Sequence, residues 1–240
     1  MYAHRGANKG APENTLAAFC LAQQLGADGI EMDVKLTADG EVVVMHDQTV
    51  DRTTDGHGRL RDFRLAELRR LDAGSWFDGT FHSEKVPTLA EIFETLKNGI
   101  LYDIELTNYS TPFDNLLEKV LALVQKYGLA GNVMVSSFLP TNISHFRRLA
   151  PAIPGGVIAL HGWAGALSRS FVGRWFAPLV VIPVYLDVTQ NYVRMQKALG
   201  RKVIPWTVNE PADMLRLMEW GADGLITDVP DLARATLEVK

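Results

Sequence analysis

The feature that most constrains this chain is a repeated alternation of short β-rich runs with helix-like segments along nearly its whole length. The β-rich runs are Ile30–Leu36, Val42–His46, Ile100–Leu106, Val133–Ser137, Gly156–Leu160, Leu179–Val184 and Val203–Val208. The opening residues up to His4 and the run Gly224–Thr227 make two more. The helices between them carry start and stop signals. Pro12-Glu13-Asn14-Thr15 opens one, with Leu16, Phe19 and Cys20 on a face and Gly26 at its end. Thr88-Leu89-Ala90-Glu91 reads as a capping box, in which hydroxyl and carboxylate each satisfy a free N–H of the first turn. Thr111-Pro112 starts another that closes at Gly128. Further helices are expected over 140–149, 189–199, 211–220 and 230–238.

Strand–helix alternation implies parallel strands with helices packed outside them. At 240 residues the expected fold is one α/β unit over 1–240, a TIM-like (β/α)8 barrel. Eight strands close such a barrel, so one of the nine runs is short or lies outside it. Gly26-Ala27-Asp28-Gly29 and Gly221-Ala222-Asp223-Gly224 echo each other as helix-to-strand connectors, without marking a repeat protein. The stretch of about 48–87 breaks the alternation and exceeds a plain loop. It reads as a small insertion after the third strand, a lid or simply a decorated loop, and holds Trp76, Phe77 and Phe81.

Composition excludes several classes. Apolar residues make up 47% and charged residues 22%, ordinary for a large-cored globular chain. A net charge of -4 argues against a nucleic-acid partner, while leaving room for a local anion site. Cys20 is the single cysteine, which fits a reducing cytoplasm. No signal-peptide pattern opens the chain, and no apolar run reaches the ~18–20 residues of a membrane span. Stable membrane insertion is therefore not expected. The oligomeric state is left open, a homodimer included.

Barrel enzymes place their chemistry where strands end. Four strand ends carry unusual polar residues. His4-Arg5 offers a proton carrier beside a fork of donors for phosphate, although such pairs are common on surfaces. In Glu31-Met32-Asp33-Val34-Lys35, alternation puts Glu31, Asp33 and Lys35 on one face. Helices cover the outside of a barrel, so that face looks inward. An apolar run ends abruptly at His46-Asp47, where the aspartate either orients the ring or caps the turn. On the next run Asp103, Glu105 and Thr107 share a face, but parity alone does not say which way it points.

Convergence of Glu31, Asp33 and Glu105 would create a conflict. Two carboxylates about 4 Å apart repel by roughly 4 kcal/mol at an effective dielectric near 20. A divalent cation removes it, and an all-oxygen set favours Mg²⁺ or Ca²⁺ over zinc. Arg5 would then bind a phosphodiester oxygen, with His4 and His46 as base and acid on either side of phosphorus.

At these residues the chain resembles the glycerophosphodiester phosphodiesterases. The likeness runs in order through His4-Arg5-Gly6, Pro12-Glu13-Asn14-Thr15, Glu31-Met32-Asp33, His46-Asp47, Asp51-Arg52-Thr53-Thr54 and Leu71-Asp72-Ala73-Gly74. It continues through Pro87-Thr88-Leu89, Ile104-Glu105, Ser136-Ser137-Phe138, Pro205-Trp206-Thr207-Val208-Asn209 and Ile226-Thr227-Asp228. The resemblance implies a TIM-like barrel in which the second and third strands lack an intervening helix. It also implies Glu31, Asp33 and Glu105 as metal ligands, His4 and His46 as general base and acid, and Arg5 on the phosphate. Trp206 would pack against the glycerol, or else belong to the core. The products would be sn-glycerol 3-phosphate and an alcohol.

One departure stands out. The family usually carries a lysine two residues beyond the third metal glutamate, where this chain has Thr107. Lys35, on the inward parity of its strand, is the expected substitute on the substrate. Two alternative functions remain in view. One is a lysophospholipase D-like activity, with the aromatic insertion contacting an acyl chain. The other is a non-catalytic phosphate-binding barrel, for which Thr107 is the only support.

Overall fold

A computed structural model describes residues 1–170, 172–176 and 179–238. The expected unit of 1–240 thus includes Phe171, Ala177, Pro178, Val239 and Lys240, which lie outside the described residues. Among the described residues there are nine strands: β1 (Tyr2–His4), β2 (Gly29–Leu36), β3 (Val42–Val44), β4 (Leu101–Leu106), β5 (Val133–Ser137), β6 (Gly155–Ala159), β7 (Val180–Pro183), β8 (Lys202–Val203) and β9 (Ile226–Thr227). Eight run parallel in the order β8-β7-β6-β5-β4-β2-β1-β9. The ends of that path meet: Ile226 N–H donates to Pro205 O and Val208 N–H to Ile226 O, each at 2.9 Å. The result is the expected TIM-like barrel.

The ninth strand, β3, is the run that lies outside the eight-strand path, as expected of one of the nine. β3 pairs antiparallel to β2, with Val44 opposite Val34 and Val42 opposite Leu36. A parallel return needs a crossover of about a dozen residues or more, and the link over 37–41 is too short for one. Thr37 closes the hairpin by accepting the Glu41 N–H at 2.9 Å. β8 is also shorter than the expected Val203–Val208, although the Ile204 and Trp206 N–H groups beyond it still donate to Val181 O and Pro183 O.

The helix expected from Thr111 begins instead at Leu116 and runs to Lys126. Asp114 collects Thr111 Oγ1 at 2.6 Å, Asn108 Nδ2 at 2.9 Å and the Leu116 N–H at 3.1 Å, so local side-chain bonds hold a turn where a helix would start. The capping box at Thr88 forms as expected, with Thr88 N–H donating to Glu91 Oε2 at 2.8 Å and Glu91 N–H to Thr88 Oγ1 at 3.2 Å.

Apolar packing divides by position. Helices such as Leu16–Gln24 and Leu89–Leu96 lie against the outer faces of the strands through Phe19, Ile92, Phe93, Val34 and Ile104. Inside the barrel, Met134, Ile158, Val180, Ile182, Ile204 and Ile226 form a separate cluster with Tyr2, Phe138 and Trp206 against it. Full burial of each such aliphatic side chain contributes roughly 1.5–3 kcal/mol. Residues 48–87 are a packed segment with a small core of their own, built on Val43, Met45, Val50, Leu60, Leu68 and Val86. Its aromatics face one another, Trp76 to Phe77 at 5.8 Å and Phe77 to Phe81 at 5.7 Å, both edge-to-face. Among the described residues, no helix is long and apolar enough to cross a membrane.

Candidate active site

Strand register brings the acidic residues together. β2 and β4 are adjacent, with Glu31 opposite Asp103 and Asp33 opposite Glu105. Side chains of one parity share a face, so the four carboxylates make a two-by-two block on the inner wall. This settles the parity that β4 alone left open. One oxygen each from Glu31, Asp33 and Glu105 lies within 4.8 Å of the others. Oxygens bound to one cation at 2.0–2.6 Å fall within about this separation, so the donor set suits Mg²⁺ or Ca²⁺.

The electrostatics say the same. Burial first, then Asp33 and Glu105, raises the Glu31 carboxyl well above its ordinary value. Burial and then Asp33 push Glu105 up to about 8, against the Tyr109 hydroxyl, which donates to Glu105 Oε1 at 2.5 Å. Burial also raises Asp103, to about 7. Carboxylates that resist ionisation are what a cation site looks like before the cation neutralises it.

The chain leaves β1 by a sharp turn. Arg5 has φ 56° and Gly6 φ 83°, both left-handed. At Gly6 a Cβ would sit 2.7–2.8 Å from Ala18 atoms, so only glycine fits. The turn aims the Arg5 N–H at Glu31 Oε2, 3.0 Å away, and sets Arg5 Nε 3.4 Å from Asp33 Oδ2. Asn14, also left-handed at φ 58°, donates its amide to Asp33 Oδ2 at 2.9 Å.

Both imidazoles are held from behind. His4 Nδ1 bonds Asp228 Oδ1 at 2.7 Å, and Asn8 and Asn209 amides fix that carboxylate at 2.7 and 2.8 Å. The other ring nitrogen of His4 lies 4.0 Å from Glu31 Oε2. His46 Nδ1 bonds Asp47 Oδ1 at 2.7 Å, so Asp47 orients the ring. Arg52 grips Asp47 with two bonds, at 2.7 and 3.0 Å, and Glu13 with two more at 2.8 Å each. Glu13 in turn accepts from Arg5 at 2.9 Å. One chain of ionic contacts thereby links the arginine beside the carboxylates to His46.

A cavity of about 140 Å³ joins these groups. His4, Arg5, Glu31, His46, Asp103 and Glu105 line it on the charged side. Phe138, Ile158, Ile182, Trp206 and Ile226 form the apolar side. Phe138 and Trp206 pack edge-to-face at 5.6 Å. Among the described residues, several buried polar atoms without a hydrogen bond of full geometry gather around this space: Arg5 Nε, both Asp103 oxygens, to which the Ser136 hydroxyl is the neighbour, and Trp206 Nε1. Unsatisfied buried polar groups are rare in folded proteins, and a cluster of them marks where a ligand or ion belongs.

Lys35, expected on the substrate, is engaged by the protein itself. Its Nζ donates to Met45 O at 3.0 Å, His46 O at 2.6 Å and Thr107 Oγ1 at 2.5 Å. All three ammonium protons go to protein oxygens. Buried among them, with burial pulling its pKa down to about 8, Lys35 anchors the backbone that carries His46.

Sequence reasoning passed over other members. Glu13 and Asn14 lie within the Pro12–Thr15 signature, which signals a helix start and conceals their site contacts. Asp228 and Arg52 stand in the family likeness without a role, and the contact of Asp228 with His4, 224 positions away, shows only once folded. Tyr109 likewise shows its part only in the fold.

A closed parallel barrel with carboxylates and imidazoles at the C-terminal ends of its strands is the build of a barrel enzyme. Comparison with known proteins makes the class particular. Residues 4–232 match the Glycerophosphoryl diester phosphodiesterase family. The chain is 39% identical over 234 residues to a glycerophosphodiester phosphodiesterase of Caldanaerobacter subterraneus subsp. tengcongensis, covering 95% of this chain and 93% of that one. It is 34% identical to glycerophosphodiester phosphodiesterase 1 of Bos taurus, covering 86% and 71%. Among solved structures, an Oleispira antarctica phosphodiesterase in complex with the product sn-glycerol-3-phosphate aligns with a TM-score of 0.90 at 30% identity, over 99% of this chain and 96% of that one. A glycerophosphodiester phosphodiesterase from Agrobacterium tumefaciens aligns at 0.84 and 32%, over 98% of each. The chain belongs to the glycerophosphoryl diester phosphodiesterase family and is an enzyme of that family.

Proposed function

We propose that this enzyme hydrolyses glycerophosphodiesters to sn-glycerol 3-phosphate and an alcohol, using one divalent cation and the pair His4 and His46. The observation that carries the reading is the shared cavity, in which the carboxylate cluster and both imidazoles face one space. The product named for the Oleispira antarctica structure supports the substrate class.

Glu31, Asp33 and Glu105 would hold Mg²⁺ or Ca²⁺, which offsets charge on the phosphoryl oxygens when bound. Arg5 presents donors to the same oxygens. With Nδ1–H of each ring on an aspartate, the other nitrogen is free to act. One imidazole takes the proton from the attacking hydroxyl, and the other gives a proton to the departing alkoxide, so the diester P–O bond breaks as the new one forms. The attacking hydroxyl is the glycerol 2-hydroxyl, giving a cyclic phosphate that water then opens. Trp206 Nε1 and the apolar wall serve the glycerol end. For a lysophospholipid substrate, the insertion aromatics expected to meet an acyl chain instead pack on one another.

The test is a panel of glycerophosphocholine, glycerophosphoethanolamine and lysophosphatidylcholine. Each is assayed after chelation and after restoring Mg²⁺ or Ca²⁺ singly. Turnover of the first two that vanishes on chelation supports the reading. Equal rates with and without chelator would remove the cation from it, and turnover of the lysolipid alone would replace the substrate.

A further inference from the structure

We infer that Asp103 is a fourth carboxylate of the cation site, reaching the ion through water from the barrel interior. This rests on the cation reading of the Glu31–Asp33–Glu105 cluster given above.

Asp103 is fully buried and lines the catalytic cavity. Among the described residues, neither of its oxygens has a hydrogen bond of full geometry, and the neutral Ser136 hydroxyl beside it balances none of its charge. Carboxylates are almost never fully buried without a partner, because desolvation costs several kcal/mol per ion. Something must therefore pair with Asp103 in the working enzyme. Its place in the register says what. It stands opposite Glu31 and two residues before Glu105 on the same face, directly against two members of the cluster. It does not belong to the group of oxygens lying within 4.8 Å of one another, so direct ligation beside those three is not its arrangement. A water between the ion and Asp103 fits instead. Buried waters need about two to four polar partners. The Asp103 oxygens and the buried Ser136 hydroxyl beside them supply these.

The experiment titrates metal-free full-length enzyme with Mg²⁺, Ca²⁺ or Mn²⁺ by calorimetry, without substrate, in wild type and Asp103→Asn. Asparagine keeps the shape and removes the charge. Wild type should bind one ion, and Asp103→Asn should bind it ~10–100-fold more weakly, the usual effect of losing a partner outside the direct ligands. The ion-induced rise in thermal midpoint should shrink in parallel, while the metal-free midpoint of the variant stays level or rises. Asp103→Ser, which leaves room for water, is the second variant should the amide disturb folding. Affinity within about twofold of wild type in a folded variant would overturn the inference and make Asp103 a neutral acid of the barrel wall. That result would leave the hydrolytic reading standing. Failure of wild type to bind any of the three ions would instead overturn both the cation reading and this one.

Discussion

The Lys35 ammonium lies 2.5 Å from the Thr107 hydroxyl, and Thr107 Oγ1 in turn donates to Val34 O at 2.8 Å. A lysine on β2 and a threonine just past the end of β4 thus tie two barrel strands to the backbone of Met45 and His46. Thr107 occupies the position where the resemblance expects a substrate-binding lysine. Here the cation stands one strand over and holds the backbone carbonyl of His46.

Removing that anchor should misplace His46 without emptying the cavity. Lys35→Met is predicted to lower kcat by ~10–10²-fold, the scale of a displaced catalytic group, with KM changed only a few-fold. Steady-state kinetics on glycerophosphocholine check it. Wild-type kcat in a folded variant would mean that His46 keeps its place without the lysine.

His4→Ala and His46→Ala should each cost ~10²–10⁴ in kcat, the range for a positioned acid or base. Divalent-ion affinity should survive, since neither ring belongs to the carboxylate cluster. Calorimetry beside the rate assay separates the two roles, and a His46→Ala enzyme with full turnover would dismiss the acid–base assignment.

Asp228→Asn should act through His4. The carboxylate fixes Nδ1 as the protonated nitrogen at 2.7 Å, leaving the other nitrogen for chemistry. An amide can present its NH₂ to that nitrogen and favour the wrong tautomer. A loss of ~10-fold or more in kcat is expected, within the contribution of the histidine itself, together with a shifted pH–rate profile. An unshifted profile at unchanged kcat would assign Asp228 to structure alone.

Acidity of the cluster predicts opposite pH trends with and without the ion. Glu105 is raised from 4.5 to about 8, by burial first and then by Asp33. The folded metal-free protein therefore holds this proton more tightly than the unfolded chain. Its stabilising contribution is present below the ordinary value and is lost as pH rises through about 8. Chelated enzyme should accordingly lose denaturant resistance between about pH 5 and 8. Ion binding must displace the same proton, so affinity should climb with pH and level off above about 8. Denaturant titrations and calorimetry across that window check both signs. A metal-free stability that rises with pH would contradict the buried carboxylate block.

Much of this was legible in the residues alone. Caps at Thr15 and Thr88, the alternation of Glu31, Met32 and Asp33, and the abrupt end of an apolar run at His46 are local patterns. Local patterns fix local conformation, because capping and side-chain parity depend on near neighbours. The helix boundary after Thr111 escaped that logic, since Asp114 bonds backward to Thr111 and Asn108 and delays the helix to Leu116. The antiparallel turn of β3 was implicit in its short link, yet only the pairing displays it.

Sequence by itself therefore determined the barrel class, its family likeness and the candidate side chains. Tertiary structure decided which of them meet. The register of β2 against β4 places Asp103 against Glu31 and Asp33 against Glu105, and barrel closure carries Asp228 to His4 from the far end of the chain. Such contacts depend on how distant strands align, a global property that no window of residues encodes. The destination of the Lys35 ammonium belongs there too. Parity aims a flexible side chain inward, but the nearest acceptors capture it, and those exist only once the fold has formed.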